Sequence, residues 1–213
     1  CLPCSQETNT GRTIVPIMSS QEYEAYIRKN ETWNFIVNVL DMTFFHLGNS
    51  FIFGSTVLSV YASHLTSSAT LIGLIPAIQT VGYFLPQLLM ARRAERAPRK
   101  KPLLLRISVM ERLPYLFVAL NILLWPEGPA AISFLILAVS LGLATGSGGL
   151  GAPAWKNMLA KVVPVRRRGL LFGLGRALGG LLGVGGAAVS SYVLAAYPYP
   201  TSFGICFLLC FIF

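Results

Sequence analysis

LLMARRAERAPRKKPLLL, residues 88–105, sets six basic side chains into the ten positions from Arg92 to Lys101 and presses apolar segments against both ends. A run of Lys and Arg has two common uses. It neutralises phosphates in a nucleic-acid arm, or it holds a loop at the cytoplasmic face of a membrane. The flanks decide between them. With 54% hydrophobic and only 12% charged residues and a positive mean hydropathy, the chain does not have the composition of a soluble basic domain. It reads as an all-α polytopic protein of the lipid bilayer, with no nucleic-acid partner.

The formal charge of +9 therefore needs a location, and most of it falls in two clusters, Arg92 to Arg106 and Lys156 to Arg168, each between hydrophobic segments. Long apolar runs lie at roughly 38–62, 69–90, 103–125, 130–151 and 169–196. Each is near the ~20 residues needed to cross ~30 Å of hydrocarbon, which predicts five spanning helices. A sixth run begins at Thr201 and is still apolar at Phe213. The sequence starts at Cys1 instead of Met, so the expectation is a fragment cut at both ends. Residues 1–32 are polar, contain Glu7, Glu22, Glu24 and Glu31, and lack the apolar core of a signal peptide. They are expected to form a loosely ordered cytoplasmic tail ahead of a transmembrane bundle over 33–213, made of helices 1 to 5 and the truncated start of helix 6.

Orientation follows from the short loops, because the side that keeps Lys and Arg is normally cytoplasmic. The second and fourth connections hold the basic clusters. The first, near His64 to Ala69, has no Lys or Arg; the third, near Trp125 to Pro129, has only Glu127; the fifth, at 197–200, has none. This alternation places the N-terminus inside the cell, in a multi-pass protein of the plasma or inner membrane.

The basic loop has order as well as charge. In AERAPRKK, Glu95, Arg96, Arg99 and Lys100 follow the small residue Ala91. The pattern resembles the loop between helices 2 and 3 of the major facilitator superfamily, Gly-x-x-x-Asp-Arg-x-Gly-Arg-Arg/Lys. Here Ala91 stands for the first Gly, Glu95 for the Asp and Pro98 for the second Gly. A second basic turn, ValProValArgArgArgGly at 163–169, makes two three-helix units that resemble the nested 3+3 repeats of that family. The resemblance implies the N-terminal six-helix half of a twelve-helix transporter of small solutes. It also implies a missing C-terminal six-helix half as partner, no cofactor, and a gating role for Ala91, Glu95, Arg96, Arg99 and Lys100.

The residues themselves point to an interior polar surface. Counting from Asn34 at ~100° per residue, Asn38, Asp41, Asn49, Thr56 and Ser59 fall within about 60° of one direction. A stripe of this kind facing lipid is costly, a carboxylate alone about 2.5–3.5 kcal/mol on insertion scales, so it should face the bundle interior or a wet cavity. The alternative is that Asp41 lies near the cytoplasmic end and caps or snorkels. His46 lies off the stripe and reads as structural. On helix 2, Gln79, Tyr83 and Gln87 recur at i+4, with Pro76 and Pro86 able to kink the helix. Their amides serve solute binding or interhelical hydrogen bonding.

Helix 5 carries Gly175, Gly179 and Gly183 at fourfold spacing, a bare face for close helix approach. Family antiporters often have a Gly-Pro pair in this helix; no Pro is present, so antiport does not follow. Arg176 and, on helix 3, Glu111 and Arg112 lie at comparable depth, and buried charges should pair. Glu111 with Arg176 is the expected long-range pair, chiefly as a brace. No metal site is expected, since Cys1 and Cys4 are remote from Cys206 and Cys210 across the membrane.

These features predict secondary transport by alternating access, with Asp41 as candidate proton carrier and Asn38, Asn49, Gln79 and Tyr83 as candidate solute contacts. No enzyme is implied. An integral membrane enzyme or a non-transporting scaffold is the competing class. An enzyme should show convergent acids, histidines or a nucleophile, whereas His46 and His64 are unpaired and the acids are dispersed.

Overall fold

The computed structural model describes residues 20–96 and 101–213, and within them every regular element is helical. In chain order these are α1 (Ser20–Lys29), α2 (Glu31–Ser50), a π-turn (Gly54–Leu58), α3 (Ser59–Leu65), α4 (Ala69–Arg96), α5 (Lys101–Leu124), α6 (Ala130–Val162), α7 (Val165–Ala196) and α8 (Thr201–Ile212). Among the described residues, α4 to α7 are long and apolar enough to cross a membrane. The shorter α8 is apolar too.

Three sequence expectations need correction. The tail was expected to be loosely ordered, yet residues 20–29 form α1. The basic clusters were expected in loops of about ten residues or more, whereas α4 runs on to Arg96 and α5 begins at Lys101. At the second basic cluster α6 continues to Val162 and α7 starts at Val165. A helix satisfies its own backbone and does not need to stop where the hydrocarbon does, so apolar length understates helix length.

The third correction concerns the first span, expected as one helix. It breaks after Ser50. Asn49 Nδ2 donates to Phe45 O and Ser50 Oγ to Leu47 O, competing with the helical ladder. Phe51 and Ile52 then bond three residues back, to Gly48 O and Asn49 O. Phe53 is extended at φ −53°, ψ 129°, and Leu58 N reaches back to Phe53 O across the π-turn. The buried Ser190 of α7 donates to Phe51 O at 3.4 Å, supplying a partner to a carbonyl beside the break. Backbone irregularity at this depth requires such help from neighbouring helices.

Packing pairs α4 and α5 with α6, α2 with α7, and α5 with α8. Glycine permits the close approaches. A Cβ on Gly149 would collide with the backbone carbonyl of Tyr83, and one on Gly175 or Gly179 with Met42 or His46. Gly186 sits on Ser50 and Leu47 more tightly than Gly183, whose nearest contact is Ser50 Cβ at 3.7 Å. The bare face of α7 is thus filled by α2. Two apolar clusters result. The larger joins Leu58, Tyr61, Ile75, Val118, Leu137, Leu141 and Phe207, and the smaller joins Val39, Met42, Leu159, Val163 and Leu171 at the opposite end.

Candidate functional site

Asp41 stands ten residues into α2, about 15 Å along its axis at 1.5 Å per residue. Its carboxylate is exposed and its Oδ2 accepts a hydrogen bond from Trp155 Nε1 of α6 at 3.2 Å. The Trp155 ring also meets Phe172 of α7 edge-on, with centroids 6.2 Å apart. One indole therefore ties three spans together beside an open carboxylate. Arg176 follows Phe172 by one turn on the same face of α7 and is exposed.

The amides of the stripe are bound to their own helix. Asn38 is buried and donates through Nδ2 to Asn34 O at 2.7 Å, while Asn49 is exposed and donates to Phe45 O at 2.9 Å. Each leaves its side-chain carbonyl for another partner. Gln79 and Tyr83 are half-buried on α4. Gln87, next on that face, has its Oε1 buried with no hydrogen-bond partner among the described residues.

Glu111 does not pair with Arg176. Among the described residues the salt bridges present join Glu31 to Arg167 at 2.9 Å and to Arg166 at 3.6 Å. The physical reason is packing: α5 lies on α6 and α8, whereas α7 lies on α2. Equal depth does not bring two side chains together when their helices are not neighbours. Glu111 instead rests against the backbone of Gly148, where an added Cβ would stand 2.6 Å from its Oε1. His46 packs on Gly179 and edge-on to Phe45 at 5.9 Å, a structural placement.

Of the gating residues, Ala91, Glu95 and Arg96 lie on the last turns of α4; Arg99 and Lys100 lie outside the described residues, as do Cys1 and Cys4. The other basic turn has defined chemistry. The Arg168 guanidinium donates from Nε to Val163 O at 3.1 Å and from its terminal nitrogen to Ala160 O. It thereby satisfies carbonyls that the end of α6 leaves open.

Sequence reasoning missed Trp155 and Gly148. Trp155 falls in the stretch assigned to a loop, and only the continuation of α6 to Val162 makes it a helical residue that can reach α2 and α7. Gly148 carries no local signal either, since nothing near it in the chain says which side chain will fill the space a glycine leaves.

A bundle of membrane-length helices, with a carboxylate and an indole joined on an exposed face, has the build of a polytopic membrane transporter. The family model of the Major Facilitator Superfamily matches residues 41–213, and the chain belongs to that superfamily. Its members carry small solutes through membranes and are not enzymes. No curated protein and no solved structure shows a significant match to the chain.

Proposed function

We propose that the chain is the N-terminal half of a secondary active transporter that moves a small solute by alternating access, with proton coupling at Asp41. The observation that carries the reading is the Trp155 to Asp41 hydrogen bond. It holds an intramembrane carboxylate on an exposed face and links it to two other spans, so a change in its charge is felt by the packing of α2, α6 and α7. Gln79, Tyr83, Asn38 and Asn49 contribute polar contacts to one wall of the pathway, and a C-terminal six-helix half supplies the other.

The chain lies in the plasma or inner membrane with its N-terminus cytoplasmic. The basic alternation supports this orientation. So does the Glu31 bridge to Arg166 and Arg167, which holds the starts of α2 and α7 together on one side, as the first and fifth spans of an alternating topology require. In this reading Ala91, Glu95, Arg96, Arg99 and Lys100 stabilise one gating state. Arg96→Ala then slows turnover with little change in solute affinity.

The test of coupling is Asp41→Asn in the full-length transporter reconstituted in vesicles. The substitution keeps shape and hydrogen bonding while removing titration. Accumulation against a gradient is lost, and downhill exchange remains measurable. Proton-driven accumulation at the wild-type level in the Asn variant would return Asp41 to a structural role.

A further inference from the structure

Among the described residues Arg176 is exposed and makes neither a hydrogen bond nor a salt bridge, although it lies inside the apolar run 169–196. A guanidinium in that setting is costly unless an anion reaches it. Its place relative to Asp41 follows from the seam between α2 and α7. The contacts of Gly175 with Met42, Gly179 with His46 and Gly186 with Ser50 advance along both helices together, so the two run in the same direction. Arg176 comes one residue after the Gly175 to Met42 contact on α7, and Asp41 one residue before it on α2. At about 100° per residue, on parallel helices that face each other, those two offsets turn both side chains to the same flank of the seam.

Trp155 marks that flank independently. Its indole N–H reaches Asp41 at 3.2 Å, and its ring meets Phe172, one turn before Arg176, with centroids 6.2 Å apart. The surface around the guanidinium is bare. Gly173 and Gly180 lie three residues before and four after Arg176, on its own face, and a Cβ at either meets nothing within 4 Å. An open cation, an apolar wall made by the half-buried Phe172 and Trp155, and a floor of glycine together leave room for a small molecule with one anionic end.

We infer that Arg176 anchors the charged end of the solute and that the solute is a small monocarboxylate with an apolar body. The guanidinium offers paired N–H donors in the fork geometry that a carboxylate accepts, and the Phe172 and Trp155 rings take the body. This rests on the reading of Asp41 as a proton carrier, under which charge balance selects the anion. With Asp41 ionised, the empty Asp41 and Arg176 pair nets zero. With Asp41 protonated and a carboxylate on Arg176, it nets zero again. A neutral or cationic solute would leave net positive charge among the spans, which is unfavourable.

The experiment is equilibrium binding to the full-length transporter in lipid nanodiscs, where no gradient exists, with radiolabelled hydrocinnamate as the probe. Hydrocinnamyl alcohol, phenylalanine and phenethylamine compete as its uncharged, zwitterionic and cationic counterparts. Hydrocinnamate binds saturably and is preferred over the alcohol by about tenfold or more, the worth of a charge-assisted hydrogen-bonded pair. Arg176→Gln removes that preference. Asp41→Asn binds hydrocinnamate at least as tightly as wild type, because the neighbouring negative charge is gone. Should Arg176→Gln not fold, Gly173→Leu, built into open space, crowds the guanidinium and gives the same loss. Absence of saturable binding would overturn the inference, as would an acid preference retained in Arg176→Gln or Gly173→Leu. Tighter binding of phenylalanine than of hydrocinnamate, lost in Asp41→Asn, would replace the monocarboxylate with a zwitterion bridging both side chains. The two readings fail separately: proton-driven accumulation by Asp41→Asn removes the coupling role of Asp41 and leaves the anion preference at Arg176 in place.

Discussion

Trp155 and Asp41 are 114 positions apart in the chain and are joined by an indole N–H to carboxylate hydrogen bond of 3.2 Å. The bond connects the first span to the fourth, and the same ring rests edge-on against Phe172 of the fifth.

Trp155→Phe keeps the ring contact with Phe172 and removes the donor. Stability falls by only about 1 kcal/mol, since the bond is exposed. Thermal unfolding in detergent checks the size of the loss; a fall of several kcal/mol would show that the ring contact with Phe172 had gone as well.

The Glu31 bridges should be unequal. Arg167 approaches to 2.9 Å with a side chain 41% exposed, Arg166 to 3.6 Å with one 74% exposed. Arg167→Ala therefore costs more than Arg166→Ala, though less than about 1 kcal/mol after solvent screening. Melting temperatures of the two variants at low and high salt test the order, and the difference shrinks as salt rises.

Glycines of the bundle separate by what a methyl group would meet. Gly149→Ala collides with the Tyr83 carbonyl and costs about 1–3 kcal/mol or prevents folding. In the same chain, Gly180→Ala meets nothing within 4 Å and stabilises the helix by about 0.5–1 kcal/mol. Detergent melting curves of the two variants should move in opposite directions.

Topology is open to single-cysteine labelling in a background lacking Cys1, Cys4, Cys206 and Cys210. Cysteines at Pro98 and Val165 react only from the cytoplasmic side and one at Glu127 only from outside. Val165 and Glu127 are exposed, so reagent access does not limit the result. Reaction of position 165 with an impermeant reagent in intact cells would invert the orientation.

The four long apolar helices and the place of the basic clusters between them were legible because each depends on a contiguous segment. Apolar length, the position of Lys and Arg, and turn residues such as Pro129 and Pro164 are local properties. The helical course of α6 through Trp155 and of α7 from Val165 was less legible, since it lies beyond the apolar run that marks a span.

From its sequence alone, then, this protein is a bundle of membrane helices with a polar stripe on the first span and a glycine face on the fifth. Its tertiary structure decided the partners: Trp155 for Asp41, Gly148 for Glu111, Glu31 for Arg166 and Arg167, and Ser190 for the carbonyl at the break after Ser50. Helical periodicity gives the direction of each side chain about its own axis. It does not say which helix stands in that direction, and the expected Glu111 to Arg176 pair failed on that point, because α5 packs on α6 and α8 while α7 packs on α2.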